Sequence, residues 1–216
     1  MSFLALLRKD LRREARSKES LLAGLLLVAL AFLAVLFADP APDRGAAAAL
    51  LWTPLLFATV ALVGRGFASE HDRGTILLLR AAPVPLAWHG WSRTLVHLAI
   101  TVLVAAVSLA VLTGLLGLDA SAPLVAALAL AAVGLAVVGT LASAISAQAR
   151  TREVLLPVLL VPVAAPLLQA GIRATIDALA GGSWGALQVP LLLMAGYDLV
   201  AVGVAWLLWP IVLEGD

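Results

Sequence analysis

Residues 93–116 read RTLVHLAITVLVAAVSLAVLTGLL, an almost uninterrupted apolar run that is long enough to cross a lipid bilayer. Similar runs recur along the chain, and short polar loops separate them. Hydrophobic residues make up 63% of the 216 residues and charged residues only 12%, with a mean hydropathy of +1.08. A soluble domain of this size does not need repeated runs of this length. The pattern predicts an all-α integral membrane protein, with one transmembrane domain over residues 1–216.

Six transmembrane helices are predicted from these apolar runs. They cover residues 20–38, 46–68, 93–116, 123–149, 154–170 and 189–212. Crossing the hydrocarbon core takes about 20 residues at a rise of about 1.5 Å per residue, and each run is near or above that length. The first run also has the form of a cleaved signal peptide, but its length and its long, patterned leader favour an uncleaved anchor.

The basic residues fall almost entirely into alternate loops. Of the 14 Lys and Arg residues, only Arg44 and Arg173 lie outside the N-terminal leader and the second and fourth connections. The positive-inside rule then places both termini in the cytoplasm and makes residues 171–187 a periplasmic loop. The six Trp residues are predicted to form belts at the two membrane surfaces, with Trp52 and Trp184 outside and the others inside.

Several classes of chemistry are missing from the sequence. The chain contains no Cys, which excludes disulfides and thiolate metal sites. Its three His residues are scattered, and it has no phosphate-binding Gly-rich motif, Gly-x-Ser-x-Gly or Glu-x-x-His. We therefore predict no catalytic residue, no metal site and no cofactor bound by this chain. The net charge of +1 gives no indication of nucleic-acid binding.

Residues 1–19 are predicted to form an amphipathic basic helix on the inner membrane surface. Apolar side chains recur at helical spacing: Phe3, Leu4, Leu7, Leu11 and Ala15. Basic side chains cover the remaining surface: Arg8, Lys9, Arg12, Arg13 and Arg16. The helix is either an anchor attracted to anionic lipid or a docking surface for a cytoplasmic partner.

The longest inner connection, residues 69–92, contains an apolar segment that a plain linker would not need. The residues that define it are Glu70, Gly74, Thr75, Leu78, Leu79, Pro83 and Pro85. The glycine permits a sharp turn, the threonine can cap a short apolar helix, and the two prolines end that helix. The segment is either an interfacial anchor or a coupling helix that inserts into a groove of a partner.

Proline interrupts the fifth predicted span at Pro157, Pro162 and Pro166, and Gly171 follows it. Each proline removes a backbone donor and favours a kink. The kink is either purely structural or, as in many transporters, exposes backbone groups to a cavity.

Ionisable residues near or within the spans have separate predictions. Asp198 lies inside the sixth span, where a carboxylate is costly, so it should face the bundle or a polar cavity. It either has a functional role or belongs to a packing network. Arg173 and Asp177 are spaced i, i+4 and are predicted to pair. His97 is predicted to be a satisfied interfacial histidine.

Two stretches resemble the heme exporter protein B (CcmB) family of ABC-2-type permeases. The first is Glu70-x3-Gly74-Thr75-Ile76-Leu77-Leu78-Leu79-x3-Pro83-x-Pro85. The second runs from Leu155-Leu156 through Pro162-x3-Pro166-x4-Gly171. The length of the chain, its basic leader and its predicted spans also fit the family, so the resemblance covers essentially the whole sequence.

The resemblance implies an ABC-2 (type V exporter-like) permease fold in a bacterial inner membrane. It implies a homodimer whose loop 69–92 couples to a separate, CcmA-like cytoplasmic ATPase that holds ATP-Mg. It also implies a CcmC-like heme-handling membrane protein and a CcmE-like periplasmic chaperone, with heme as cargo of the complex. The chain would be a non-catalytic subunit that couples ATP hydrolysis to heme delivery or to release of the loaded chaperone. The alternatives are a permease for another substrate and a membrane scaffold without energy coupling.

Overall fold

A computed structural model describes residues 3–17, 19–38, 42–72, 85–117, 120–149 and 151–214. Within these ranges the chain forms seven α-helices and no strand, so the predicted all-α class is confirmed there. The helices are α1 (Phe3–Ser17), α2 (Glu19–Ala38), α3 (Arg44–Asp72), α4 (Leu86–Leu116), α5 (Ala122–Ser146), α6 (Arg152–Leu179) and α7 (Trp184–Glu214).

Five of these helices are long and apolar enough to cross a membrane, which makes the chain a multi-pass membrane protein. The qualifying stretches are Arg44–Gly64, Leu86–Gly114, Ala122–Ser146, Arg152–Leu179 and Trp184–Leu213. Helix α2 has 20 residues, but its described apolar stretch, Gly24–Val35, is shorter than a span. A sixth span at α2 therefore stays a prediction.

The helices extend beyond the apolar runs from which they were predicted. Helix α3 continues to Asp72 and α4 begins at Leu86, so both flanks of loop 69–92 are helical. Helix α6 continues to Leu179, well into the segment 171–187 that was predicted to be a loop. Composition marks the part of a helix that lies in hydrocarbon, whereas the backbone hydrogen bonds can continue into the interface.

The ends of several helices meet at one end of the bundle. Ser92, near the start of α4, donates a hydrogen bond to Asp10 of α1. Gln148, just after α5, donates to the carbonyl oxygen of Val212 near the end of α7. We call this end, which also includes the last turns of α3, the terminal end of the bundle.

Helix α5 lies at the centre of the bundle. In its apolar stretch 72% of the residues are buried, against 22% in α7. Helix α5 contacts α3, α4, α6 and α7. Its many Ala and Gly residues explain this position, because small side chains let neighbouring helices approach closely.

The small residues of α5 are used within the chain. The Ser143 hydroxyl donates to the carbonyl oxygen of Val63 in α3 over 2.6 Å. A β-carbon at Gly139 would lie 3.2 Å from the Thr59 methyl group. These contacts join α5 to α3, so this face of α5 is covered by the chain's own helix.

Candidate functional site

The leader helix α1 packs on the start of α4. The Ser92 hydroxyl donates to Asp10 Oδ2 over 2.7 Å, and both side chains are fully buried. The Phe3 ring meets the Trp88 ring edge-on, with 6.2 Å between centroids. Leu6 is also buried. The leader is therefore held by protein contacts at the terminal end of the bundle.

The face of α1 that packs on α4 differs in part from the predicted apolar stripe. Leu6 and Asp10 are buried, whereas Leu4 is 73% and Leu11 42% exposed. Leu6 and Asp10 did not belong to the predicted stripe, because the sequence of α1 alone does not show which of its faces contacts α4.

The predicted basic face of α1 is present in the described side chains. Arg8, Lys9 and Arg12 are exposed, and Lys9 Nζ lies 3.3 Å from Asp10 Oδ1. Arg13 and Arg16 belong to the same helix, but their side chains lie outside the described ones. The Asp10 carboxyl group points into the bundle. The charged side chains described around Arg8 on the outer surface of α1 are therefore basic.

Most of the predicted coupling segment lies outside the described residues. This holds for Gly74, Thr75, Leu78, Leu79 and Pro83. Glu70 lies in the last turn of α3, where its side chain is not described, and Pro85 is exposed directly before α4. The structure therefore describes the two helices that carry the segment.

Aromatic packing joins these two helices to α7. The Phe67 ring of α3 stacks on Trp209 of α7 at 28°, with 6.1 Å between centroids. The His89 ring of α4 meets Phe67 edge-on at 5.9 Å. Arg93 Cζ lies 5.9 Å from the centre of the Phe67 ring, within range of a cation–π interaction. With Gly90, these four residues form what we call the anchor cluster.

Gly90 leaves room for the Trp209 ring, which lies directly against it. A β-carbon at Gly90 would lie 2.3 Å from the indole ring, so no larger residue fits there without moving the ring. Trp209 is fully buried, and Arg93 is only 2% exposed. The expected belt position of Trp209 is wrong for this reason: its ring points into the bundle. Trp88, Trp184 and Trp206 are exposed.

Gly171, which the sequence associated with the proline-rich span, has a packing role near the opposite end of the bundle. The Trp52 indole lies against it, so a β-carbon at Gly171 would lie 2.2 Å from Cη2 of that ring. Trp52 is buried and donates from Nε1 to the Thr175 hydroxyl over 2.8 Å. Trp52 is therefore a core residue, and its predicted belt position is wrong.

The helix that carries the prolines is continuous. Helix α6 runs through Pro157, Pro162 and Pro166, and the last two are exposed. The Tyr197 hydroxyl of α7 donates to the carbonyl oxygen of Val163 over 2.9 Å. This bond joins α7 to the proline-containing part of α6.

Charged and polar groups elsewhere make local bonds. Arg173 Nε donates to Asp177 Oδ2 over 3.0 Å, which confirms the predicted i, i+4 pair. His97 is buried, and its Nδ1 lies 2.8 Å from the Thr140 hydroxyl. Because that hydroxyl donates its hydrogen to the carbonyl oxygen of Ala136, Nδ1 must be the donor to Thr140.

Asp198 lies inside the bundle, where α7 meets α5. It is 7% exposed, and neither carboxyl oxygen has a hydrogen-bond partner among the described residues. A β-carbon at Gly134 would lie 2.5 Å from Asp198 Oδ1 and 2.7 Å from a Leu167 methyl group. The absence of a side chain at Gly134 therefore makes room for the carboxyl group.

A family model described as CcmB protein matches residues 1–214. The chain belongs to the CcmB family. A comparison with curated proteins finds no match. CcmB proteins are membrane permease components of heme export and cytochrome c maturation, and they are not themselves catalytic. The resemblance noted in loop 69–92 and in the proline-rich span is thus confirmed over nearly the whole chain.

In this CcmB protein, the described part of the chain holds no group of three or more His, Cys, Asp or Glu that could bind a metal ion. Among its described polar groups, the hydroxyls of Ser143 and Tyr197 join one helix to another. The anchor cluster and the Gly134 seat of Asp198 were not predicted. An isolated glycine inside a helix often has a packing reason, and Gly90, between Trp88 and Trp91, carried that signal.

Proposed function

We propose that this CcmB protein is the permease subunit of an ATP-driven complex for cytochrome c maturation. A separate, CcmA-like ATPase binds ATP-Mg in the cytoplasm. The permease couples hydrolysis to heme delivery or to release of a heme-loaded, CcmE-like periplasmic chaperone, together with a CcmC-like membrane protein. The family match over residues 1–214 is the observation that carries this proposal.

The ATPase contact is loop 69–92, with Glu70, Gly74 and Pro85 among its residues. A loop transmits force only if its two ends are held, because a slack linker absorbs the displacement. The anchor cluster holds Phe67 on one flank and Gly90 on the other against the same tryptophan, Trp209, and His89 packs on Phe67. Because both ends of the loop are held, a coupling role for the segment is supported. The remaining proposed contacts with the ATPase are Thr75, Leu78, Leu79 and Pro83.

The orientation follows from charge. We propose six spans of an ABC-2 (type V exporter-like) fold in the bacterial inner membrane, with both termini cytoplasmic. The terminal end of the bundle carries the basic leader, and the positive-inside rule places such segments in the cytoplasm. Arg8, Lys9 and Arg12 then face anionic headgroups or the ATPase, and we propose the same for Arg13 and Arg16.

The chain acts mechanically and binds no cofactor of its own, and heme is cargo of the complex. His97 bonds to Thr140 inside the bundle, and His89 packs in the anchor cluster. Both lie towards the terminal end, on the cytoplasmic side in this orientation. Heme handling therefore falls to the other subunits.

The functional unit is a homodimer around a two-fold axis with two ATPase subunits. Helix α7 leaves apolar residues exposed along its length, among them Leu192, Leu199 and Leu207. A second copy and the lipid bilayer share this surface. No nucleic acid takes part.

Co-purification tests the proposal. The chain is expressed in membranes with the ATPase subunit encoded beside it, solubilised, and assayed for co-elution and ATP hydrolysis. The two proteins should elute together, and Gly74→Val should weaken the complex or reduce hydrolysis because valine resists the turn. Gly196→Ala is the matched control, since Gly196 is exposed and a β-carbon there would meet nothing within 4 Å. Failure to bind the ATPase would favour the scaffold alternative.

A further inference from the structure

Trp209 lies between the two helices that carry loop 69–92. Its ring stacks on Phe67 of α3 and lies directly on Gly90 of α4. These two residues flank the undescribed residues 73–84 on either side. Any displacement of both loop ends must therefore move Trp209 or open the packing around it.

Helix α7, which bears Trp209, is the least buried of the five candidate spans. Only 22% of its apolar stretch is buried, against 33% for α6 and 44% for α4. Its inward contacts include Trp209 at the terminal end, Asp198 on Gly134, and the Tyr197 bond to α6. Its buried residues form one narrow face, and most of its other side chains are exposed.

The contacts of α7 form a lever. Trp209 follows Asp198 by three turns of the helix, which is about 16 Å at a rise of about 1.5 Å per residue. At one contact, beside the loop, the Trp209 ring packs between Phe67 and Gly90. At the other, near the middle of the span, the Asp198 carboxyl group lies against Gly134. Between these two points the one buried side chain is the small Ala205, so a displacement of Trp209 should tilt this half of α7 about the Asp198 contact.

We propose that Trp209 transmits movement of loop 69–92 to α7, and that α7 pivots where Asp198 rests on Gly134. This inference rests on the proposed function, because the ATPase supplies the movement. Trp209 is a positioning residue that touches neither nucleotide nor cargo. Packed interiors have little free volume, so a ring without clearance on Gly90 passes on a displacement that a looser contact would absorb.

A fluorescent label on α7 tests the proposal in the complete complex with its ATPase. The chain has no Cys, so Leu193→Cys, at an exposed position of α7, gives a single labelling site for an environment-sensitive dye. The measured quantity is the change in emission when ATP and vanadate trap the ATPase. This change is compared in the otherwise unaltered chain, Trp209→Leu, Trp209→Phe and Ile211→Ala.

Trp209→Leu should reduce the change in emission by at least about fivefold while the ATPase stays bound and hydrolyses ATP. Trp209→Phe should restore most of the signal, because phenylalanine can still stack on Phe67. Ile211→Ala is the control, because this exposed residue of α7 lies two positions from Trp209 and should leave the signal unchanged. Trp206 is unsuitable, since its ring centroid lies 6.0 Å from that of Trp91 in α4. If the Trp209→Leu protein does not assemble with the ATPase, the change in emission is measured in Phe67→Leu instead. This variant removes the stacking partner of Trp209 and leaves the indole on Gly90.

Two results would overturn the inference while leaving the proposed function intact. One is a signal of full size in Trp209→Leu or, in its place, Phe67→Leu; the other is no signal from Leu193→Cys in an assembled complex that hydrolyses ATP. If no ATPase binds the unaltered chain, the proposed function and the lever fail together. Loss of the signal in Ile211→Ala as well would contradict a specific role for Trp209.

Discussion

Trp52 of α3 donates a hydrogen bond from its indole Nε1 to the Thr175 hydroxyl of α6 over 2.8 Å. Both side chains are buried, and the Thr175 hydroxyl in turn donates to the carbonyl oxygen of Gly171. The same tryptophan ring lies on Gly171. One side chain thus joins two helices by a polar bond and by close contact, and the glycine is required for both.

Gly171→Ala should destabilise the protein by about 1–3 kcal/mol, because the new methyl group overlaps the Trp52 ring. Thermal unfolding in detergent, followed by loss of the monodisperse elution peak, measures the effect. Gly203→Ala is the control, since Gly203 is exposed in α7 and nothing lies within 4 Å of a β-carbon there. Equal unfolding temperatures for the two variants would contradict the packing described.

Thr175→Val should cost about 1–3 kcal/mol, because the buried indole N–H of Trp52 loses its acceptor. Thr175→Ser keeps the hydroxyl and should retain most of the stability. The comparison separates the hydrogen bond from the volume of the side chain. Equal loss in both variants would contradict the stated role of the hydrogen bond, because only valine lacks the hydroxyl group.

Gly134→Ala should destabilise the contact between α5 and α7, because a methyl group there would overlap the carboxyl group of Asp198. Asp198→Ala should recover part of the loss in the double variant by making room. A double-mutant cycle on unfolding should give a coupling energy of about 0.5–3 kcal/mol. Additive effects would show that the two residues do not touch.

Asp10→Ala should release the leader helix from α4. The buried Ser92 hydroxyl loses its acceptor, at a cost of about 1–3 kcal/mol. Limited trypsin digestion at the basic residues of α1 should become faster, with Glu153→Ala as the exposed acidic control. An unchanged cleavage rate would mean that the contacts of Leu6 and Phe3 are enough to hold α1 in place.

Hydropathy and charge were enough to predict the helical class, and family resemblance predicted the CcmB family. They were not enough to distinguish a membrane-belt tryptophan from a core one. Trp209 and Trp206 differ by one turn, yet one is buried and the other exposed, because the rotation of α7 is set by its neighbours. The signal for that rotation is Asp198, which was predicted to face the bundle and which lies three turns before Trp209 on the same face.

The packing roles of three glycines could not be predicted, for a related reason. Gly90, Gly134 and Gly171 each lie opposite a large or polar side chain from another helix. A single sequence identifies the glycine but does not identify its distant neighbour. The i, i+4 pair of Arg173 and Asp177 was predictable because both partners lie on one helix.

The most direct test of an ATPase-coupled permease is a photo-cross-link from the coupling loop. Benzoylphenylalanine replaces Leu78 in the complete complex in membranes, and the cross-linked partner is identified by mass spectrometry. The control position is Phe37, which is exposed at the far end of α2. The account predicts a cross-link to the ATPase subunit from Leu78 and none from Phe37. Cross-links from Leu78 to lipid alone, with the ATPase present in the membrane, would contradict it.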